Sequence, residues 1–165
     1  MAENFSFDVV SDFDRQELVN ALDQVNREIA QRYDLKGSDT SLKLDKDNIY
    51  ITTNSELTLN SVHDILRQKA TKRKLSLRIF EYGDIESVSG NKVKQIIGLK
   101  HGLNQEIAKK ISKNIRDQFK KINVSINGES LRVSSKSKND LQSVIQLLNE
   151  FEESYNIPLK ANNLR

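Results

Sequence analysis

Three lysines close together are the side chains in this sequence with the clearest capacity for binding chemistry. Lys92, Lys94 and Lys100 follow Ser89-Gly90-Asn91 in a strand-like run, and alternation places all three on one face. The other face carries three apolar residues: Val93, Ile97 and Leu99. Ammonium groups in a row on an open sheet face attract phosphates, so we predict anion recognition there.

Tyr50 and Arg132 occupy equivalent outward positions in two predicted hairpins. A ring or a guanidinium stacks on a base while neighbouring cations hold phosphates, as a nucleotide or single-stranded nucleic acid requires. The RNA-recognition module, however, has several aromatic residues on a central strand. Residues 49–52 and 131–134 hold at most one ring between them. If RNA binds, we expect charge and shape to dominate, with a steep loss of affinity in salt.

The two histidines, His63 and His101, belong to no spaced metal-binding or catalytic-triad motif. We predict that His63, beside Asp64, lies on the surface of a helix. His101 lies at a strand-to-helix corner, where a helix N-terminus binds anions, so it is the better ligand candidate. The sequence has no P-loop, no dinucleotide-binding glycine motif and no cysteine. We therefore predict a protein that is not an enzyme and has no cofactor or metal.

The elements that position these side chains form an internal repeat. Residues 41–66 align with residues 123–148 at a constant offset of 82, without a gap. The eight aliphatic positions Leu42, Leu44, Ile49, Ile51, Leu59, Val62, Ile65 and Leu66 align with Val124, Ile126, Leu131, Val133, Leu141, Val144, Leu147 and Leu148. The first four positions of each set follow the period of a strand and the last four that of a helix. Each copy is therefore a β-hairpin followed by an amphipathic helix.

Further strand-like runs complete each unit. An earlier helix repeats at an offset of 86, which leaves a longer loop at residues 36–39 of the first copy. Residues 5–10 and 92–99 precede these helices, and residues 75–80 and 157–161 follow the second ones. The order strand, helix, strand, strand, helix, strand predicts an α+β fold with two tandem ferredoxin-like (βαββαβ) units. Because Pro158 cannot donate a hydrogen bond, we expect the last strand at a sheet edge.

Helix boundaries and chain length support the same arrangement. Asp14 followed by Glu17 predicts a helix N-cap, and Asn104 and Asn139 are candidates for later caps. A repeat of about 80 residues favours two small domains over one. We predict a first domain at residues 1–83 and a second at residues 84–165.

Composition excludes membrane spans and disulfide-stabilised folds. Hydrophobic residues make up 36% of the chain, but none of the apolar runs approaches the roughly 20 residues of a membrane span. The first residues lack the pattern of a secretory signal, and cysteine is absent. We expect a soluble, cytoplasmic protein that does not bind membranes.

Charge is unevenly distributed along the chain. Residues 67–138 hold 18 Lys or Arg against 6 Asp or Glu, although the whole chain has a formal charge of only +3. Such a basic segment attracts phosphates, so nucleotides and nucleic acids are the candidate partners. An alternative is that the helices simply expose solvated lysines.

Five segments of the sequence resemble the YajQ family of bacterial proteins, and the likeness extends from about residue 4 to the C-terminus. Val9, Tyr33, Leu35 and Lys36 are conservative departures from the family motifs. The segments are Phe5-Ser6-Phe7-Asp8-Val9-Val10-Ser11, Asn26-Arg27-Glu28, Arg32-Tyr33-Asp34-Leu35-Lys36-Gly37, Ser89-Gly90-Asn91-Lys92-Val93 and Leu99-Lys100-His101-Gly102-Leu103-Asn104-Gln105-Glu106.

The resemblance implies two tandem ferredoxin-like units, with a possible exchange of first strands between them, and a nucleotide-binding protein with links to RNA and to cyclic di-GMP. An exchange would place residues 5–10 in the second sheet and residues 93–99 in the first, which the sequence neither supports nor excludes. Arg32 and Lys36 join the candidate site because they flank the extra loop within a family-like motif. The oligomeric state stays open.

Two functions of different classes follow. The first is a regulatory protein that binds a nucleotide of the cyclic di-GMP, GTP or ATP class. Its candidate binding residues are Arg32, Lys36, Tyr50, Lys92, Lys94, Lys100, His101 and Arg132. The alternative is an RNA-binding protein that uses the basic 67–138 surface without a defined pocket. A scaffold that binds another protein through its sheet faces is a third hypothesis.

Overall fold

Two antiparallel sheets organise residues 4–165, which are the residues that this computed structural model describes. The elements, in chain order, are β1 (Phe5–Val10), α1 (Arg15–Gln31), β2 (Ser41–Asp45), β3 (Asn48–Thr53), α2 (Glu56–Lys72), β4 (Phe80–Tyr82), β5 (Glu86–Val88), β6 (Lys92–Leu99), α3 (Gln105–Gln118), β7 (Asn123–Asn127), β8 (Ser130–Ser135), α4 (Lys138–Tyr155) and β9 (Lys160–Asn162). Within that range, no helix has both the length and the apolar composition needed to cross a membrane.

The continuous unit, Phe13–Lys100, is built on a sheet with the strand order β2-β3-β6-β4. Strand β5 pairs with β6 as well. Ile49 lies opposite Ile97 across the β3-β6 ladder, and both are completely buried. Helices α1 and α2 cover the face of the sheet that carries Ile49 and Ile97. Their residues, such as Val25 and Ile65, belong to the same hydrophobic cluster. Burial of this cluster is the main stabilising contribution to the unit.

The split unit consists of the described residues up to Asp12 together with His101–Arg165, and its sheet has the order β7-β8-β1-β9. Phe7 lies opposite Val133 across the β1-β8 ladder, and both side chains are fully buried. Ile111 of α3 and Val144 of α4 belong to the same hydrophobic cluster. Strand β9 lies at the sheet edge, as the nearby proline predicts.

The first strands of the two repeats are exchanged. Strand β1 comes from the first sequence copy and pairs with β8 and β9 in the split unit. Strand β6 comes from the second copy and pairs with β3, β4 and β5 in the continuous unit. The tandem ferredoxin-like fold is confirmed, with the exchange that the family resemblance implies. The division at residues 83 and 84 stays a prediction about the two sequence copies, because each compact unit takes one strand from the other copy.

Two of the three predicted helix caps are present. Asp14 Oδ1 accepts a hydrogen bond from the Glu17 amide at 3.2 Å, and Asn104 Oδ1 accepts one from Ile107 at 2.8 Å. The prediction for Asn139 is wrong, because the N-cap of α4 is Ser137. Ser137 has the extended backbone that a cap requires, whereas Asn139 already lies in the first helical turn.

The segment between the two predicted units holds more structure than the sequence indicates. Residues 77–79 form a 3₁₀ turn, so β4 begins only at Phe80. Strand β5 was not predicted, and it pairs antiparallel with the start of β6. The turn between them contains Gly90 and Asn91, both with positive φ. These two residue types tolerate that conformation, and the turn brings β5 alongside Lys92 and Lys94.

The repeat extends to the backbone conformation of the hairpin turns. Lys46 joins β2 to β3 with φ +55°, and Gly128 joins β7 to β8 with φ +59°. The two positions correspond at the offset of 82. An L-residue in this region is strained by about 1–2 kcal/mol, so only the second copy has the residue type that the turn favours.

We expect Gly128→Ala to lower the free energy of unfolding by about 1 kcal/mol through backbone strain alone. A Cβ at this position meets no atom within 4 Å, so packing contributes nothing to the loss. Lys46→Gly should cost less than Gly128→Ala, because it relieves the same strain while giving the unfolded chain more freedom.

Urea unfolding monitored by circular dichroism measures both changes. Gly98→Ala is the matched control, since the nearest atom to its Cβ is 3.8 Å away and its φ lies outside the positive region. Equal losses from Gly128→Ala and Gly98→Ala would contradict the strain argument.

Candidate functional site

Strand β6 presents Lys94 on the open face of the sheet of the continuous unit, as the alternation predicts, whereas Gln95 is a polar residue on its buried face. Ile97 and Leu99 point into the core, and Lys94 and Ile96 alternate with them. Ile96 is 38% exposed, which makes it an apolar side chain at an outward position of a central strand. The strand therefore contributes both charge and an apolar contact to this face.

The three lysines of the predicted row are too far apart to hold one phosphate. Lys94 and Lys100 are six residues apart, which corresponds to about 20 Å along a strand. Lys100 lies beyond the end of β6, where its backbone amide donates to the carbonyl oxygen of Ile79 at 2.8 Å. Lys92, at the start of β6, forms an ion pair with Asp39. Only Lys94 has a central position on the sheet face.

Asp39 belongs to the extra loop of the first copy, and its ion pair with Lys92 occupies that lysine. The hydrogen bond from the ammonium group, followed by its charge, holds the pKa of Asp39 below the ordinary value. A phosphate bound at Lys92 would have to compete with this carboxylate. The loop thus reduces the positive charge that one end of β6 presents.

Cross-strand register places the remaining side chains of the open face in two neighbouring rows. Lys43 on β2 lies opposite Tyr50 on β3, and Tyr50 lies opposite Ile96 on β6. In the next row, Thr52 lies opposite Lys94. Opposed residues on one sheet face have Cβ atoms about 5 Å apart, so the first row is continuous. It joins a cation, a ring and an aliphatic side chain, and we call it the sheet platform, together with Thr52 and Lys94.

Sequence reasoning missed two members of the sheet platform, although signals for both were present. Lys43 stands between Leu42 and Leu44, so the alternation that buries the leucines also turns the lysine outward. Ile96 is an apolar residue in the outward phase of β6, which favours a surface contact over a core position. A count of charges along the chain does not detect either signal.

Arg32 and Lys36 lie at the other side of the continuous unit, in and after the end of α1. The Arg32 guanidinium is 2.8 Å from an oxygen of Asp34 and 3.5 Å from one of Glu28. Lys36 is exposed, and its amide donates to the carbonyl oxygen of Arg32 at 2.9 Å. Their place in a nucleotide site stays a prediction, because the sheet platform lies on strands while these residues follow a helix of the opposite layer.

His101 and Arg132 belong to the split unit. His101 is exposed and lines a cavity of about 240 Å³ that the carboxylates of Asp12 and Glu129 also line. Those acids disfavour an anion there, despite the nearby start of α3. The ligand role of His101 stays a prediction, and an anion bound there would face these two acids.

Arg132 is engaged by an acid on the open face of the split unit's sheet. Its Nε donates to Oδ1 of Asp8 at 3.1 Å, and Asn163 Nδ2 donates to Oδ2 at 2.8 Å. These two hydrogen bonds, that from Asn163 first, lower the pKa of Asp8 and keep it ionised. The role of Arg132 in nucleotide binding stays a prediction, and a phosphate would have to displace Asp8 from it.

The prediction that His63 lies on the surface is wrong, because this residue of α2 is only 7% exposed and its side chain contacts β6. Gln95 Nε2 donates to the carbonyl oxygen of Gly83 at 2.8 Å, so Gln95 Oε1 faces the imidazole. His63 Nε2 donates to that oxygen at 2.6 Å, and the ring lies edge-on to Tyr82 with centroids 4.9 Å apart. Burial lowers the pKa of His63, while the hydrogen bond to Gln95 partly opposes this shift.

The free energy of unfolding should fall as the pH drops below about 6.5, the ordinary pKa of histidine. Below that pH the unfolded chain protonates His63, but the folded chain, with its lowered pKa, resists protonation. The stability that the fold gains by keeping His63 neutral is fully present above about pH 6.5. It is lost progressively as the pH falls towards the folded-state pKa of His63. His63→Gln should remove this part of the pH dependence, as urea unfolding between about pH 5 and 8 would show. Parallel profiles for the two proteins would contradict the assignment.

Comparisons with known proteins agree with the family resemblance. The family model described as nucleotide-binding protein YajQ-like matches residues 5–165. A nucleotide-binding protein of Prochlorococcus marinus strain MIT 9312 is 78% identical over the full length of both chains, and one of strain MIT 9515 is 79% identical. A nucleotide-binding protein of Parasynechococcus marenigrum strain WH8102 is 56% identical, again over both full lengths. The chain therefore belongs to the YajQ-like family of nucleotide-binding proteins.

Proposed function

We propose that this protein binds a nucleotide on the sheet platform of the continuous unit and responds to it without chemical turnover. One observation carries the proposal, namely the unbroken row of Lys43, Tyr50 and Ile96 across three strands. The names of the relatives support the general class of ligand. The sheet platform combines an apolar surface suited to a base with ammonium groups suited to phosphates.

The sheet platform offers a separate contact for each part of a nucleotide. The Tyr50 ring and the exposed side of Ile96 form an apolar surface against which a base stacks. The Lys43 and Lys94 ammonium groups each provide three donors for phosphate oxygens. Thr52 lies two residues after Tyr50 on β3 and opposite Lys94 on β6, so it adds a hydroxyl within reach of a ribose.

The separation of the two lysines favours a ligand with two phosphate groups. Lys43 and Lys94 are two strands apart and two residues out of register, which corresponds to about 12 Å between their Cα atoms. A cyclic dinucleotide has two phosphates on opposite sides of its sugar-phosphate ring, with a base projecting from each ribose, so cyclic di-GMP is the ligand that we propose. GTP and ATP, whose phosphates lie together at one end, should bind less tightly.

RNA binding is the second candidate function, and the exposed face of α3 favours it. Lys109, Lys110, Lys113 and Arg116 are all exposed on this helix of the split unit. The basic 67–138 segment is divided by the unit boundary between Lys100 and His101. The RNA hypothesis therefore concerns at least two patches, one in each unit, and not one row of charges.

Calorimetric titration with cyclic di-GMP at about 150 mM salt tests the first candidate. We expect Lys43→Gln combined with Lys94→Gln to weaken binding at least ten-fold, because each lost phosphate contact removes a charge-assisted hydrogen bond. Tyr50→Ala should weaken binding about five-fold or more through the loss of base stacking. Chromatography after the titration should recover the nucleotide unchanged.

The control is Lys109→Gln combined with Lys110→Gln, which makes the same change in net charge on α3. If both double variants weaken binding equally, the effect is one of net charge and the sheet platform is not the site. If the wild-type protein binds no small nucleotide but binds RNA, the second candidate replaces the first.

A further inference from the structure

Gly98 is a glycine in a central strand that the fold itself does not require. It lies in β6 and is paired on both edges, with Asn48 on β3 and Glu81 on β4. Its φ lies outside the positive region, and a Cβ built on it would have its nearest neighbour at 3.8 Å, an ordinary contact. Glycine weakens a strand, and it often marks a place where a ligand approaches the backbone closely. With conformation and crowding excluded, a ligand is the reason that remains.

The gap above Gly98 is flanked by an amide and a carboxylate. A Cβ built at Gly98 would lie 3.8 Å from Oδ1 of Asn48 and 3.9 Å from Cβ of Glu81, so both side chains share its face of the sheet. Within residues 4–165, neither side chain makes a hydrogen bond or an ion pair. Their strands lie on opposite sides of β6, about 10 Å apart. We call Asn48, Gly98 and Glu81 the Gly98 notch.

The Gly98 notch adjoins the sheet platform. Ile96 lies two residues before Gly98 on β6, and Tyr50 lies two residues after Asn48 on β3, so the two rows are about 7 Å apart. Lys94 is on the far side of Ile96 from the notch. A nucleotide with its phosphate at Lys94 and its base over Ile96 would therefore direct the outer edge of the base into the notch.

The polar groups of the notch match the edge of guanine. That edge carries two adjacent donors, N1–H and the N2 amino group, beside the acceptor O6. An ionised carboxylate such as that of Glu81 only accepts, and its two oxygens pair with two adjacent donors. The amide nitrogen of Asn48 donates, as O6 requires. Adenine has an acceptor, N1, in place of a donor, so the same carboxylate would face it without a hydrogen bond.

We propose that the Gly98 notch reads the base and makes the site selective for guanine over adenine, with Glu81 accepting from N1 and N2 and Asn48 donating to O6. This inference rests on the proposed function, because it needs a nucleotide on the sheet platform. It adds the residues that determine specificity, whereas the lysines of the sheet platform hold phosphates of any nucleotide. A hydrogen bond to a charged group gives strong discrimination when the competing ligand leaves that group unpaired.

Parallel calorimetric titrations with cyclic di-GMP and cyclic di-AMP, at about 150 mM salt, test the inference. The two ligands have the same ring and the same phosphates, so the ratio of their affinities reports only on the base. We expect the wild type to bind cyclic di-GMP at least about ten-fold more tightly than cyclic di-AMP.

Glu81→Gln should weaken cyclic di-GMP binding by about ten-fold or more, because glutamine offers guanine one acceptor and a mismatched donor. Cyclic di-AMP should bind this variant as well as the wild type or better, since the new amide donates to adenine N1. Simple removal of a negative charge would instead strengthen the binding of both anionic ligands. Glu81 is exposed, so the change should leave the fold intact, as circular dichroism would verify.

Two further variants separate base reading from other effects. Asp45→Asn is the matched control, since Asp45 is exposed, lies opposite Asn48 on β2 and carries the same charge as Glu81. It should leave the ratio of the two affinities unchanged. Gly98→Val fills the gap with a residue that strands favour, and it should lower the affinity for cyclic di-GMP and the ratio together.

The outcomes distinguish a failure of this inference from a failure of the proposed function. If neither cyclic dinucleotide binds, or if Lys43→Gln with Lys94→Gln changes nothing, the sheet platform is not the site and both fall. If that double variant loses binding but the wild type does not discriminate between the two ligands, the sheet platform stands and the notch does not read the base. A change in the ratio from Asp45→Asn equal to that from Glu81→Gln would also overturn the inference.

Discussion

The central strand of each sheet is the constraint on which the rest of the structure depends. In the continuous unit, β6 donates and accepts hydrogen bonds on both of its edges, to β3 on one side and to β4 and β5 on the other. In the split unit, β1 has the same place between β8 and β9. Each of these strands comes from the other sequence copy, so neither sheet is complete with the residues of its own repeat. An interior strand without partners would leave a row of backbone groups unpaired, at a cost comparable to that of many lost hydrogen bonds.

This constraint also positions the chemistry. Because β6 is held on both edges, its register fixes which side chains reach the open face and which reach the helices. Ile96 faces the sheet platform, while the adjacent Gln95 reaches His63 on the other side. On the edge of β6 that faces β4, the ladder continues for one more residue, since the Ile96 carbonyl oxygen accepts from the Gly83 amide at 2.9 Å. A side chain at Gly83 would have its Cβ 2.6 Å from that oxygen, so this approach requires glycine.

The repeat in the sequence predicted the fold because the strand period and the helix period of its apolar residues are each consistent with only one type of element. Aliphatic residues spaced by two and then by three or four specify a hairpin and a helix, and the constant offset excludes a chance match. The strand exchange could not be deduced in this way, because β1 and β6 have equivalent patterns and either sheet accepts either strand. Only the family resemblance pointed to it.

The candidate site was harder to predict than the fold. Alternation correctly predicted that Tyr50 and Lys94 point outward. It did not account for the distance along the strand, which separates Lys100 from both. Charge counting also ignores carboxylates that are distant in sequence, such as Asp8, which engages Arg132 across 124 positions. His63 was misplaced because its neighbour Asp64 suggested a polar face, whereas the ring turns inward to the one polar side chain of the buried face of β6.

The exchanged strands also impose an order on biosynthesis. All strands of the continuous unit, Phe13–Lys100, have been translated once Lys100 has been added, so this sheet can close while the ribosome is still working. Strand β1 is made first, but its partners β8 and β9 lie more than 100 residues downstream. Strand β1 must therefore wait until these distant strands have been made, and we expect the split unit to fold more slowly than the continuous unit because its ladder joins segments more than 100 residues apart.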